Sequence, residues 1–298
     1  MKKLSLSKKE GLNCYFYLIP GGILMILFVV VPVVYSLYMS FFHIQSIGAE
    51  WDFVGLKNYL SVAKTDRWLQ ALGRTILYGA WGILVGQVST IILSFFVAKH
   101  KLLNVLRYIF YLPCVVSAVT IGRLWNYMLT PDEYGFFNSI LLNLKIISEP
   151  INFLGDQKIL VFVVLFTSLY GAGGGMGLVL YTTQINNVSR SVIEAAMLDG
   201  ASSLKIFLKI ELPELKPLIT ANVILGVVGA FKSFEGLYAL VPNASATETI
   251  GVLLYNESLH SSEGYGLASA MGVVLTLIVM AIMIVYMYFP TKNKADEQ

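Results

Sequence analysis

The chain has 298 residues, of which 56% are hydrophobic and only 13% are charged, and its mean hydropathy is +0.71. Charged residues alone make up about a quarter of a typical soluble domain, so this composition excludes an ordinary soluble protein and indicates an integral membrane protein. The formal net charge of +3 comes with no run of basic residues interleaved with aromatics, so it does not indicate nucleic-acid binding.

Apolar segments long enough to cross a hydrocarbon core, about 20 residues each, recur along the chain. They are residues 15–41, 75–98, 103–129, 158–183, 217–241 and 265–289. We therefore predict an all-α membrane protein with about six transmembrane helices. Residues 1–14 and 291–298 are expected to be cytoplasmic tails, and 15–290 the membrane domain. The first segment is much longer than the apolar part of a signal peptide, so it is expected to remain as an anchor.

Basic residues are unevenly divided between the two sets of loops. One set, taken with both termini, contains Lys2, Lys3, Lys8, Lys9, Lys99, Lys101, Arg107, Arg190, Lys205, Lys209, Lys216, Lys292 and Lys294. The other set contains Lys57, Lys64, Arg67, Arg74, Lys145 and Lys158. Because basic loops tend to stay in the cytoplasm, both termini and the polar segment 184–216 are predicted to be cytoplasmic.

The polar segment 184–216 lies between the fourth and fifth apolar segments and carries local helix signals. Ser191 stands three residues before Glu194, a capping-box arrangement that predicts a helix start near Val192. Gly200 can adopt the left-handed conformation that ends helices, so we expect this helix to stop there.

A second helix is expected directly after the turn. Ser202 or Ser203 can cap its start, and Pro213 is expected to end it. The resulting helix, sharp turn and helix would form a compact structure that another protein can bind. The alternative is an ordinary amphipathic loop on the bilayer surface.

A glycine cluster, Gly171 to Gly177, lies inside the fourth apolar segment. It lacks the lysine of a phosphate-binding loop and fails the G-x-G-x-x-G register, so it is a weak nucleotide signal. Small residues allow helices to approach closely in lipid, and unwound backbone is tolerated beside a cavity. Both interpretations stay open, with close packing slightly favoured.

Two opposite charges, Lys232 and Glu235, fall inside the fifth apolar segment. Their spacing of three residues would place them on one face of a continuous helix. Charges at this depth normally face a bundle interior or a wet cavity. They could pair with each other and hold helices together, or they could line a solute path with Phe231, Phe234 and Tyr238, whose aromatic rings suit a sugar.

The polar segment also carries a longer motif. Glu194-Ala195-Ala196 is followed by Gly200 and, after nine further residues, by Ile210, Leu212 and Pro213. This order and spacing resembles the EAA loop of ATP-binding-cassette (ABC) importer permeases.

Shorter motifs extend this resemblance over nearly the whole chain. They are Tyr17-Leu18-Ile19-Pro20, Phe53 to Tyr59, Leu112-Pro113, Thr247-Glu248-Thr249 and Gly264 to Ala270. Together they are similar to the larger permease subunit of maltose-type, binding-protein-dependent sugar importers. The resemblance implies the type I ABC importer permease fold and alternating access in a prokaryotic plasma membrane.

The resemblance also implies a set of sites and partners. The residues expected to couple the chain to an ATPase are Glu194, Ala195, Ala196, Asp199, Gly200, Ile210, Leu212 and Pro213. The expected partners are a second permease subunit in a heterodimer, two ATPase subunits, an extracytoplasmic solute-binding protein and a sugar. The chain has no G-x-x-x-x-G-K-[ST] loop, so ATP and Mg are expected on the partner ATPase.

Catalytic and metal-binding patterns are not found in the sequence. His43, His100 and His260 have no carboxylate or cysteine at ligand spacing, and Cys14 and Cys114 suggest neither a disulfide nor a metal site. We therefore expect a transport subunit and no enzyme. The remaining alternatives are an ABC permease for a phosphodiester, a polyamine or an amino acid, and an ion-gradient secondary transporter, which intramembrane charges would suit.

Overall fold

The computed structural model of the chain describes residues 8–45, 48, 50–100, 103–171, 174–242, 244–260 and 264–295. These residues are mostly helical, as predicted. The helices are α1 (Lys8–Met25), α2 (Val31–Met39), α3 (Lys57–Lys64), α4 (Asp66–Lys99), α5 (Asn104–Val115), α6 (Ala118–Met128), α7 (Phe136–Asn143), α8 (Gln157–Gly171), α9 (Gly174–Asn187), α10 (Arg190–Leu198), α11 (Ser203–Ile206), α12 (Leu212–Lys232), α13 (Glu235–Leu240), α14 (Ile250–His260) and α15 (Gly264–Ala295). Strands β1 (Phe42–His43) and β2 (Asp52–Phe53) form a short antiparallel pair.

Four helical stretches in the described part of the chain are long and apolar enough to cross a membrane. They are Phe16–Met39, Asp66–Lys99, Ser203–Lys232 and Gly264–Tyr286. They correspond to the first, second, fifth and sixth predicted segments. The first stretch passes through a π turn at Ile26–Val30 between α1 and α2.

The third and fourth predicted segments each contain two shorter helices. Between α5 and α6 the backbone is extended at Val116 and Ser117, and the Ser117 hydroxyl accepts a hydrogen bond from the Thr120 amide at 3.3 Å. A serine at the N-cap accepts a hydrogen bond from a backbone amide of the first turn and so favours the start of a new helix. In the fourth segment α8 ends at Gly171 and α9 begins at Gly174, and the two residues between them lie outside the described ones.

The described residues group into two compact units, of which the first comprises those within Met1–Thr65 and Asn256–Ile278. Within it, buried Asn58 organises the start of the β hairpin: its Nδ2 donates to the carbonyl oxygens of Ser40 and Phe42, both at 2.9 Å. A β-bridge joins Ile44 to Gly264, whose φ of +68° suits glycine.

The second unit comprises the described residues within Asp66–Tyr255 and Val279–Gln298, and α4 is its central helix. One face of α4 is buried at helical spacing: Trp68, Ala71, Thr75, Tyr78, Gly82, Gly86, Thr90, Ser94 and Val97. Small and polar side chains dominate this face, while Leu77, Leu84 and Val88 on the other faces are exposed. This distribution suits a helix whose outer surface meets lipid, and α4 packs through its buried face against α8, α9 and α12.

Glycines of the predicted cluster lie where helices approach closely. A Cβ on Gly175 would overlap the carbonyl oxygen of Phe110 in α5, and one on Gly177 would lie 3.2 Å from Asn222 Nδ2 in α12. The close-packing interpretation is therefore confirmed for these two glycines, which let α9 contact both neighbours.

We expect Gly175→Ala to lower the free energy of unfolding by about 2 kcal/mol, because the added methyl group must displace the α5 backbone. The measurement is the thermal unfolding midpoint of the protein purified in detergent. Gly73→Ala is the matched control, since a Cβ there meets nothing within 4 Å and alanine favours the helix. Equal midpoints for the two variants would contradict the packing.

Candidate functional site

The polar segment 184–216 forms two helices joined by a sharp turn, as predicted, within the second unit. The first is α10 and the second begins with α11. The capping-box prediction is wrong, because α10 starts at Arg190 with Ser189 as its N-cap. Ser191 is already inside the helix, where its hydroxyl lies 2.8 Å from that of Ser189.

The turn after α10 has the hydrogen bonds of a Schellman motif. Gly200 N–H donates to the Met197 carbonyl at 3.0 Å, and Ala201 N–H donates to the Ala196 carbonyl at 2.9 Å. The φ of Gly200 is +75°, and no atom lies within 4 Å of where a Cβ would stand. Glycine is therefore required here by backbone conformation and not by lack of space.

The second helix begins as predicted but does not end at Pro213. Ser202 caps α11 by accepting from the Lys205 amide. The chain then passes through a π turn, Phe207–Glu211, in which the Leu212 amide bonds to the Phe207 carbonyl, and continues into α12. A proline clashes with the carbonyl four residues earlier in a regular α-helix, and the wider π turn before Pro213 accommodates it.

The predicted coupling residues divide into an exposed and a half-buried group. Glu194, Ala195, Asp199, Gly200 and Pro213 are exposed, whereas Ala196, Ile210 and Leu212 are half-buried. Large apolar side chains that the motif did not single out are exposed around the same turn: Val192, Met197, Leu198, Leu204 and Leu208. Leu198 is 90% exposed although it stands beside the turn, so the turn presents an apolar surface.

The base of the second helix is anchored to the rest of the unit. Phe207 and Leu215 are buried with Tyr181 and Ile185 of α9 in one apolar cluster. Glu211, which the sequence motif did not single out, is 1% exposed and forms an ion pair with Lys99 at the end of α4.

The fifth predicted segment is broken beside the two intramembrane charges. The helix ends at Lys232, Ser233 is extended, and α13 begins at Glu235. The prediction that Lys232 and Glu235 share one helical face is therefore wrong. Both side chains are exposed, and among the described residues no ion pair joins them.

Aromatic rings gather at this break. Phe234 stacks on Tyr255 of α14, with ring centroids 5.2 Å apart and planes 22° from parallel, and Tyr238 meets the same ring edge-on at 4.9 Å. Phe231 is buried before the break, at 6% exposure. The structure thus brings Phe234 and Tyr238 together on one ring, that of Tyr255. Tyr255 was not predicted for this site because it is distant along the chain.

Side chains from other elements hold the break in place. Thr249 is buried, and its hydroxyl donates to the Ser233 carbonyl at 3.2 Å, while the next residue, Ile250, donates its amide to the Thr75 hydroxyl at 2.9 Å. A Cβ on Gly251 would lie 2.9 Å from the same Ser233 carbonyl. The break is therefore an ordered feature whose exposed backbone oxygen is satisfied by the protein.

The segment that follows α13 is fixed to α4 by polar contacts. Arg67 Nη2 lies 2.5 Å from Glu248 Oε1, and Arg74 donates to the Glu248 carbonyl at 3.2 Å. Tyr78 donates its hydroxyl to the Ala246 carbonyl at 2.7 Å.

Four helical stretches long and apolar enough to cross a membrane, and a helix broken inside an apolar segment, indicate a membrane-embedded protein. The family model of binding-protein-dependent transport system inner membrane components matches residues 81–292. The chain belongs to this family.

Comparison with curated proteins gives relatives along nearly the whole chain. A probable ABC transporter permease protein, YurN of Bacillus subtilis, is 30% identical over 95% of this chain and 97% of its own. The trehalose/maltose transport system permease protein MalF of Thermococcus litoralis is 28% identical over 95% of both chains. The arabinooligosaccharides permease AraP of B. subtilis is 27% identical over 91% of this chain and 86% of its own.

Solved structures share the fold. A chain of a bacterial ABC transporter involved in the import of the acidic polysaccharide alginate superposes with a TM-score of 0.83, at 19% identity, over 95% of this chain and 96% of its own. The all-α importer permease fold expected from the sequence is confirmed by this match and by the family.

We expect Thr249→Val to lower the free energy of unfolding by about 1–2 kcal/mol, because the Ser233 carbonyl loses a buried donor. Thr249→Ser keeps the hydroxyl and should stay close to wild type. The thermal unfolding midpoint in detergent measures both. If valine and serine variants unfold at the same temperature, the hydroxyl does not hold the break.

Proposed function

We propose that this chain is the membrane-spanning subunit of an ATP-driven importer that carries a sugar or an oligosaccharide across the plasma membrane by alternating access. The observation that carries the proposal is the exposed apolar turn at Gly200, in a family member similar along its length to permeases named for arabinooligosaccharides and for trehalose and maltose.

The turn and the helix break are the two ends of one helical stretch. Ser203–Lys232 spans 30 residues, about 45 Å at 1.5 Å per residue. The Schellman turn precedes its first residue, and Ser233 follows its last. A movement imposed on the turn can therefore reach the break through a single stretch of helix.

The proposed ATPase-binding surface consists of the turn and its exposed neighbours. Its members are Glu194, Ala195, Ala196, Asp199 and Gly200, followed by Ile210, Leu212 and Pro213 at the base of the second helix. The exposed Leu198, 90% accessible, supports contact with a partner. ATP and Mg would bind that partner, and ATP binding shifts the permease only by its differential affinity for the two states.

The proposed solute path runs past the break. The faces of Phe234 and Tyr238 offer surfaces for the apolar side of a sugar ring, and exposed Lys232 and Glu235 offer hydrogen bonds to its hydroxyl groups. Phe231 is buried behind them and supports the position of the break. Discontinuous helices are a recurring way to build such sites in transporters.

The proposed assembly contains a second, different permease, two ATPases and an extracytoplasmic solute-binding protein. An importer chain with the same fold was solved in complex with a periplasmic protein bound to an alginate pentasaccharide, which supports the last of these. The distribution of basic residues supports an orientation with both termini and the segment 184–216 in the cytoplasm.

We expect Gly200→Val to reduce ATP-dependent uptake about tenfold or more while the protein stays in the membrane. The cause is backbone conformation alone, since a Cβ at Gly200 meets no atom within 4 Å and valine resists a φ of +75°. Uptake and ATP hydrolysis are measured in proteoliposomes holding the complete transporter.

The matched control is Gly200→Asn, because asparagine tolerates the left-handed conformation and should keep most of the uptake. Normal uptake by the valine variant at wild-type abundance would contradict the proposed role of the turn.

We expect Glu235→Ala to raise the apparent KM for the transported sugar by about tenfold, the effect of losing roughly 1.4 kcal/mol of polar contact. The assay is uptake against sugar concentration at matched protein abundance. Glu214→Ala, which removes an exposed carboxylate near the base of α12, should leave KM unchanged. A fall in abundance with no change in KM would place Glu235 outside the solute path.

A further inference from the structure

The ion pair between Lys99 and Glu211 contains a nearly fully buried carboxylate. Lys99 Nζ lies 2.6 Å from Glu211 Oε1, and the Glu211 side chain is 1% exposed. Its second oxygen, Oε2, is buried with no hydrogen-bond partner in the described part of the chain. Lys99 is thus the one cation that compensates this carboxylate there, and separating them would leave a buried charge unpaired.

An aromatic pair forms a second contact between α4 and the π turn. Phe95 stands one helical turn before Lys99 on α4, and its ring lies 4.7 Å from that of Phe207. Phe207 and Glu211 are the first and last residues of the π turn. Lys99 Nζ also lies 5.9 Å from the Phe95 ring centroid, within cation–π range. Phe95 and Lys99 of α4 therefore contact the first and the last residue of the π turn.

These contacts add a charged and an aromatic link between the π turn and the end of α4, beyond the direct packing of α4 on α12. The π turn lies between the exposed turn at Gly200 and the long helix α12, and α4 supplies the buried face on which α8 and α9 pack. Because the buried Glu211 carboxylate is costly to leave unpaired, a displacement that separates the π turn from Lys99 is unfavourable.

We propose that Lys99 and Glu211 are positioning residues that pass the movement of the Gly200 turn to α4, so that α4 and α12 move as one body during transport. This inference rests on the proposed function. It adds a second transmission route, through side chains, to the helical stretch that leads to the break at Ser233.

The test uses the assembled transporter with Lys99→Met, Glu211→Gln and the charge-reversed pair Lys99→Glu with Glu211→Lys. The readout is solute transported per ATP hydrolysed, with the amount of co-purified ATPase measured in parallel. Each single variant should lower this ratio about tenfold, within the range of allosteric coupling, while the ATPase still co-purifies. The reversed pair should recover most of the ratio. Glu214→Gln, an exposed carboxylate nearby, is the matched control and should not change it.

Unchanged ratios in the single variants would overturn the proposal. Loss of the ATPase in parallel with transport would also overturn it, because the pair would then shape the docking surface and not transmit movement. A wild-type transporter without any ATP-dependent uptake would instead refute the proposed function itself.

A second measurement covers variants that fail to fold. The native cysteines are first removed with Cys14→Ser and Cys114→Ser. Phe95→Cys and Phe207→Cys are then introduced, and the two new cysteines are bridged with a short bis-maleimide. If α4 and the π turn move as one body, the bridged transporter keeps the uptake of the unbridged variant. Loss of uptake on bridging would show that the two must separate, and would overturn the proposal.

Discussion

Backbone groups in a hydrocarbon layer have no water to bond, so every interruption of a membrane helix must be satisfied by the protein itself. The break after Lys232 meets this constraint because Thr249 donates to the Ser233 carbonyl. At Pro213, which lies in the polar segment 184–216, a π turn provides a bond from the Leu212 amide to the Phe207 carbonyl. Both irregular points are therefore ordered, and they can serve as fixed ends of a moving part.

That part is the helical stretch between the Gly200 turn and the Ser233 break. Aromatic rings and the exposed Lys232 and Glu235 lie at the break, and apolar side chains are exposed around the turn at the other end. In the proposed function, binding of a partner at one end of this stretch displaces the other end, as an importer driven by a separate ATPase requires. The ion pair of Lys99 and Glu211 links the same stretch to α4, and the proposal above assigns it the transmission of that displacement.

Local chemistry explains which features the sequence could predict. The turn at Gly200 and the cap at Ser202 depend on neighbouring residues, and both were predictable. Three features depended on residues distant along the chain. The stack of Phe234 on Tyr255 and the partner of Glu211 arise only when helices pack, and the break at Ser233 is stabilised by Thr249 from another element. The π turn before Pro213 was missed because proline normally signals a helix end.

The most direct test of the account is purification of this chain with its companions from native membranes, followed by ATP-driven uptake of candidate sugars in proteoliposomes. The proposed function predicts recovery of an ATPase, a second permease and a solute-binding protein, with ATP hydrolysis stimulated by one sugar that is then transported. A chain that purifies alone and moves solute down an ion gradient without ATP would contradict it.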